Sequence, residues 1–156
     1  MTLAYVGDGN NVTHSLLFGG VKLGVSVVCV SPKGYEPDPK VVAAARTQGS
    51  KTGARVEVSD KLEAVRGADA VYTDVWASMG VEAEHAERVK VFAPYQINAR
   101  LMAMTGKKDS LFMHCLPAHR GEEVPDEVAD SPNSIIFDEA ENRLHAQKAI
   151  LVRLLS

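Results

Sequence analysis

An α/β fold, an open parallel sheet with helices on both faces in three layers, is what this sequence of 156 residues predicts. Three observations carry it. Short β-rich runs alternate with helix-patterned segments along the whole chain. Val25–Val30 is apolar at every position but Ser26, as expected of a strand covered on both faces. Several of the intervening segments open on helix-start residues.

Leu3–Val6 reads as the first strand, and Val12–Leu23 follows as a helix despite Gly19 and Gly20. Val25–Val30 is the second strand. Asp38-Pro39 pairs a cap with a proline suited to the first helical position, opening a helix through Ala45. Arg55–Val58 is a short third strand, after which Ser59 or Asp60 caps a helix through Arg66. Ala70–Thr73 is the fourth strand. Helical segments follow at Glu82–Lys90 and Asn98–Met104, then a fifth strand at Leu111–Met113 and a sixth at Ile135–Phe137. A last helix spans Glu139–Leu155. The pattern is Rossmann-like, and such sheets bind ligands outside the carboxyl ends of their strands. That rule singles out the loops Gly7–Asn11, Ser31–Asp38, Asp74–Gly80, His114–Glu123 and Asp138–Arg143.

Hydrophobic residues make up 46% and charged residues 24%, an ordinary globular balance that suits one domain spanning 1–156. A formal net charge of -3 with no basic stripe argues against nucleic acid as a partner. No apolar run is long enough to cross a bilayer, and the start of the chain has neither a basic region nor a long apolar one. The two cysteines, Cys29 and Cys115, fall in a strand and a loop and do not read as a disulfide framework. A cytoplasmic protein is the expectation.

Gly7-Asp8-Gly9-Asn10-Asn11 resembles a dinucleotide loop, but Val12 stands where that loop needs a third glycine or alanine. The second strand also ends in Ser31 rather than an acidic residue, so no nicotinamide cofactor is expected. One asparagine can cap the next helix; two adjacent ones exceed that need, and an amide beside a helix N-terminus suits a carboxylate. In Asp74-Val75-Trp76-Ala77-Ser78-Met79-Gly80 the aspartate could hold an ammonium group, or Asp74 and Ser78 could merely cap the following helix. Cys115, in His114-Cys115-Leu116-Pro117, could be a nucleophile, a metal ligand or a polarisable contact. His114, Cys115 and His119 lack zinc-site spacing, and no metal is expected. In Glu139-Ala140-Glu141-Asn142-Arg143 the arginine could clamp an oxyanion or be an exposed helix charge. His85 reads as a solvated helix residue.

These loops together, with Pro32-Lys33-Gly34-Tyr35-Glu36-Pro37, closely resemble the ornithine carbamoyltransferase family, in the right order and over essentially the whole chain. Ser78-Met79-Gly80 and His114-Cys115-Leu116-Pro117 are the specific pair. The resemblance implies carbamoyl transfer from carbamoyl phosphate to the δ-amine of L-ornithine, giving L-citrulline and phosphate. It places Asn11 on ornithine's α-carboxylate, helped by Ser78 and the Met79 backbone, and Asp74 on the α-ammonium group. Cys115 and the Leu116 carbonyl would lie beside the δ-amine and carbamoyl group, and His114 and Arg143 would serve carbamoyl phosphate. It also implies a cis Leu116-Pro117 bond.

Nothing like the family's phosphate loop, Ser-x-Arg-x-Arg, occurs here. The expectation is therefore a single ornithine-binding domain whose preceding carbamoyl-phosphate domain is absent. In the family the whole enzyme is a homotrimer and the last helix returns to that other domain. Ile150, Leu151, Leu154 and Leu155 would then lack their cover. The chain alone is expected to fold and to make no citrulline. The competing expectation is a stand-alone amino-acid-binding or regulatory module derived from the same domain.

Overall fold

The computed structural model describes residues 1–77 and 82–156. Five parallel strands, β1 (Thr2–Val6), β2 (Ser26–Val30), β3 (Val56–Ser59), β4 (Ala70–Thr73) and β5 (Leu111–His114), form one sheet in the order β3-β2-β1-β4-β5. Two core clusters cover its two faces. Strand alternation sends Ala4, Val6, Val28, Val30, Val71 and Phe112 to one face, where Ile97, Leu101, Val124 and Val128 pack on them. It sends Val27 and Cys29 to the other face, against Leu17, Val21, Val42 and Ala45. The expected three layers are thus present.

Helix α1 (Asn11–Lys22) is capped by Asn10, whose side chain accepts from the Val12 and Thr13 amides. Helix α2 (Pro39–Gly49) opens on the Asp38 cap and proline read from the sequence, and runs one turn beyond Ala45. Helices α3 (His85–Phe92), α4 (Ala99–Met104), α5 (Asp126–Ala129) and α6 (Ile136–Leu155) are the other α-helices among the described residues. Part of the expected Glu82–Lys90 helix is instead a 3-10 turn at Glu82–Glu84. The segment after β3 is likewise a 3-10 turn, Leu62–Val65, without a side-chain cap. The Ser59 hydroxyl accepts from the Lys61 amide instead, closing a local turn that competes with a helix start.

The expected sixth strand at Ile135–Phe137 does not form. Ser134 makes one isolated bridge to Phe112, and the chain then enters α6 at Ile136. The β-branched pair Ile135-Ile136 suggested a strand. The Glu139 amide bonds back to the Ile135 carbonyl, and Asp138 and Glu139 sit in the first turn, where the helix dipole favours acids. Along α6 only Ile136 is buried; Ile150, Leu151, Leu154 and Leu155 are 56–84% exposed, as the sequence led one to expect.

Strand order decides where a ligand fits. β1 lies between β2 and β4, so connections leaving β1 and β4 diverge to opposite sides and open a crevice at their carboxyl ends. Among the described residues, no helix is long and apolar enough to cross a membrane.

Candidate active site

Register brings the chemistry together. Thr73 lies opposite His114 across the parallel β4–β5 pair, so the next residues, Asp74 and Cys115, leave the sheet side by side. The Cys115 thiol donates to Asp74 Oδ1 at 3.1 Å. The Val75 amide donates to the same oxygen at 2.8 Å, and Asn10 Nδ2 donates to Asp74 Oδ2 at 3.0 Å. Asn10 therefore caps α1 with its oxygen and holds Asp74 with its nitrogen. Asp74 is only 8% exposed, so an incoming cation would meet a partly desolvated carboxylate.

Burial is the largest influence on Cys115, followed by its hydrogen bond to Asp74 and the charges of Asp74 and Glu139. Together they push the thiol up to about 12. At neutral pH Cys115 is therefore protonated and donates. Of the three roles open to it in the sequence, the nucleophilic thiolate and the metal ligand both require the proton to leave. The neutral polar contact fits best.

The next turn is held from beneath. Leu116 has φ of 55°, uncommon for a residue with a branched side chain, and the Leu116-Pro117 bond is cis, as expected. The Leu116 amide donates to His114 Nδ1 at 2.9 Å, so the ring proton sits on Nε2, 3.2 Å from Glu123 Oε1. His114 and Glu123 are both fully buried. Both ring nitrogens of His114, the residue expected beside carbamoyl phosphate, thus face protein partners, Leu116 and Glu123. The His119 amide also reaches Glu123 Oε1, at 2.5 Å.

The α6 N-terminus is tied to the same edge. Glu139 Oε1 accepts from the Tyr72 hydroxyl at 2.6 Å, and Oε2 accepts from the His114 amide at 3.2 Å. Burial first, then this contact with Glu139, raises the Tyr72 phenol far above its ordinary range, so it remains a donor. Arg143, one turn further along α6, is exposed.

Asn11 is the first residue of α1 and is exposed beside Asn10; the contact to Asp74 belongs to Asn10. Ser78 and Met79 lie outside the described residues. Gly9 of the first loop serves packing. A Cβ on Gly9 would fall 2.2 Å from the Pro37 nitrogen, and the Gly9 amide donates to the Tyr35 carbonyl at 2.8 Å. Sequence reasoning missed Arg88. It is 7% exposed and pairs with Asp8, donates to the Trp76 carbonyl at 2.5 Å and stacks over Tyr35 and Phe92. It knits together the loops after β1, β2 and β4. Burial raises the Asp8 carboxyl and Arg88 opposes that rise. Nothing in Glu84-His85-Ala86-Glu87-Arg88 marks this arginine as buried. Clefts of about 460 Å³ beside Leu62 and Leu101 and about 440 Å³ beside Leu3 and Leu23 are lined by neither Asp74 nor Cys115. The site is recognised by its polar groups.

A nearly buried carboxylate, a neutral thiol and a helix N-terminus meet at the switch point of the sheet, which gives a Rossmann-like α/β domain with its candidate ligand site at the carboxyl ends of the strands. Residues 1–154 match the family model described as the aspartate/ornithine carbamoyltransferase Asp/Orn binding domain. The chain is 56% identical over 156 residues to the ornithine carbamoyltransferase of Thermococcus kodakarensis, covering 99% of this chain and 49% of that protein. It is 59% identical over 157 residues to that of Symbiobacterium thermophilum, covering 100% and 50%. The solved ornithine carbamoyltransferase from Pyrococcus furiosus superposes with a TM-score of 0.91 at 57% identity, over 97% of this chain and 48% of that one. The chain belongs to the aspartate/ornithine carbamoyltransferase family. It spans about half the length of the curated relatives it matches.

Proposed function

We propose that this chain supplies the ornithine site for carbamoyl transfer from carbamoyl phosphate to the δ-amine of L-ornithine, giving L-citrulline and phosphate. The observation that carries the reading is Asp74, a nearly buried carboxylate held by Asn10, the Val75 amide and a protonated Cys115. In this reading Asp74 pairs with the α-ammonium group. Asn11, Ser78 and the Met79 backbone take the α-carboxylate, with the α1 N-terminus adding a favourable dipole. Only a deprotonated amine attacks the carbamoyl carbon, so the reactive end of the pocket must favour a neutral δ-amine. Cys115 and the Leu116 carbonyl line that end and offer hydrogen bonds without a full charge. Their work is orientation and electrostatic support of the tetrahedral intermediate, with no covalent bond to Cys115.

Arg143 is the cation assigned to carbamoyl phosphate, whose roughly two negative charges call for more than one guanidinium. The remaining contacts are assigned to a carbamoyl-phosphate domain that would precede these residues, and to a neighbouring subunit of a homotrimer. The exposed apolar residues of α6 support such a covering domain. A cytoplasmic role in arginine biosynthesis goes with this reading, and no cofactor is required. The name of the Pyrococcus furiosus relative, an anabolic ornithine carbamoyltransferase, is consistent with the biosynthetic direction. The comparisons favour this reading over a stand-alone binding module.

Calorimetric titration of the purified chain with L-ornithine tests it. Saturable binding that Asp74→Asn weakens supports the assignment; binding indifferent to that change refutes it. Citrulline formation should appear only when a carbamoyl-phosphate domain is added. Turnover by the chain alone would show that the phosphate site has been misplaced.

A further inference from the structure

We propose that His85, His119 and Glu122 form a binding site for a divalent transition-metal ion of the zinc type, which fastens α3 to the loop after β5. His85 Nε2 lies 3.0 Å from Glu122 Oε2, and His119 Nδ1 lies 3.7 Å from the same oxygen. The three ligand atoms all fall within 4.8 Å of one another. Bonds of about 2.0–2.2 Å in a tetrahedral site put ligand atoms roughly 3.3–3.6 Å apart. The observed separations bracket that range, so small side-chain rotations suffice to close the site on an ion.

The imidazole rings are 6.4 Å apart at 73° to one another, edge to face rather than stacked. The side chains are 43%, 47% and 29% exposed, so a hydrated ion can enter and keep a water as its fourth ligand. Two imidazoles and one carboxylate suit zinc, cobalt or nickel. Magnesium and calcium prefer sites made of oxygen alone.

The backbone beneath the ligands is fixed by other bonds. Gln96 Nε2 donates to the Glu122 carbonyl at 2.7 Å, the Glu122 amide to the His119 carbonyl at 3.0 Å, and the His119 amide to buried Glu123. Two ligands therefore sit on a preorganised turn and one on the first residue of a helix. An ion there would cross-link α3 to the loop that carries Cys115 and Leu116. Without an ion, the same residues form an ordinary surface histidine–carboxylate pair.

Calorimetry on the purified chain with Zn²⁺ at neutral pH distinguishes the two. The expected result is one ion per chain with a raised melting temperature. His85→Ala and His119→Ala should each weaken binding at least about tenfold, the lower end of what even an outer-shell partner costs. Glu122→Gln, which keeps the shape, should weaken it too, and Cys115→Ser should leave it intact. Co²⁺ should give visible bands without thiolate charge transfer. No saturable binding, binding that survives both histidine changes, or binding lost in Cys115→Ser would overturn the proposal.

Discussion

Replacing Asp74 should weaken L-ornithine binding far more than replacing Cys115, although the two side chains touch. Asp74 is 8% exposed, so its pairing with an ammonium group is only partly screened. At about 4 Å and an effective dielectric near 20, such a pair is worth roughly 4 kcal/mol before desolvation is subtracted. Removing one partner of a buried, hydrogen-bonded charge pair costs about 2–5 kcal/mol, because the other charge is left uncompensated. Asp74→Asn keeps the side-chain shape but halves the acceptors, and three donors, Asn10, Val75 and Cys115, now converge on that carboxylate. The expected loss is roughly 30-fold or more in affinity, since each 1.4 kcal/mol is about a factor of ten. Cys115→Ala removes one neutral hydrogen bond, worth about 0.5–1.5 kcal/mol, or roughly 2- to 13-fold. Titration calorimetry of both variants provides the measurement, with melting temperatures as the control for folding. Equal losses, or a larger loss for Cys115→Ala, would refute the placing of the α-ammonium group on Asp74.

Gly9→Ala should destabilise the chain by about 1–3 kcal/mol, since the new Cβ would fall 2.2 Å from backbone at Pro37; a denaturant melt that shows no change would contradict the packing. Burial pushes both thiols up to about 12, so neither cysteine should react quickly with a thiol reagent at pH 7. Each folded value lies above the unfolded one, so the stability these thiols contribute is fully present below about pH 8.5 and declines as pH rises toward 12. Asp74→Asn should speed alkylation of Cys115 and leave Cys29 unchanged, which mass spectrometry after timed labelling would read. Leu151→Lys and Leu154→Lys should each change the stability of this chain by no more than about 0.5 kcal/mol, because both side chains are already exposed. A large drop in melting temperature would mean that α6 is covered by a second copy.

Much of the fold was legible from local pattern. The continuous run ending at Val30, the Asp38-Pro39 cap and the alternation of strands with helices are encoded in adjacent residues, where propensity and periodicity act. The same locality made Ile135–Phe137 look like a strand. Whether two isoleucines extend or coil depends on the residues C-terminal to them, and here Asp138, Glu139 and the long helix they open decided it. The loops that bear on chemistry were also legible, because each leaves a strand at its carboxyl end. Which side chains meet within them was not. The pair Asp74–Cys115 comes from the Thr73–His114 register, Asn10 rather than Asn11 reaches Asp74, and His114 turns inward to Glu123. Each of these depends on strand order and on residues distant in the chain.

By itself, the sequence determined the α/β class, the family and the set of loops that face the crevice, because periodicity and motif are properties of neighbouring residues. Tertiary structure decided the rest. It set the strand order that opens the crevice between β1 and β4 and the burial that keeps Cys115 protonated. It buried Arg88 beside Asp8, and it gathered His85 with His119 and Glu122. Burial and through-space distance are set by the packing of the whole chain, and no window of adjacent residues contains them.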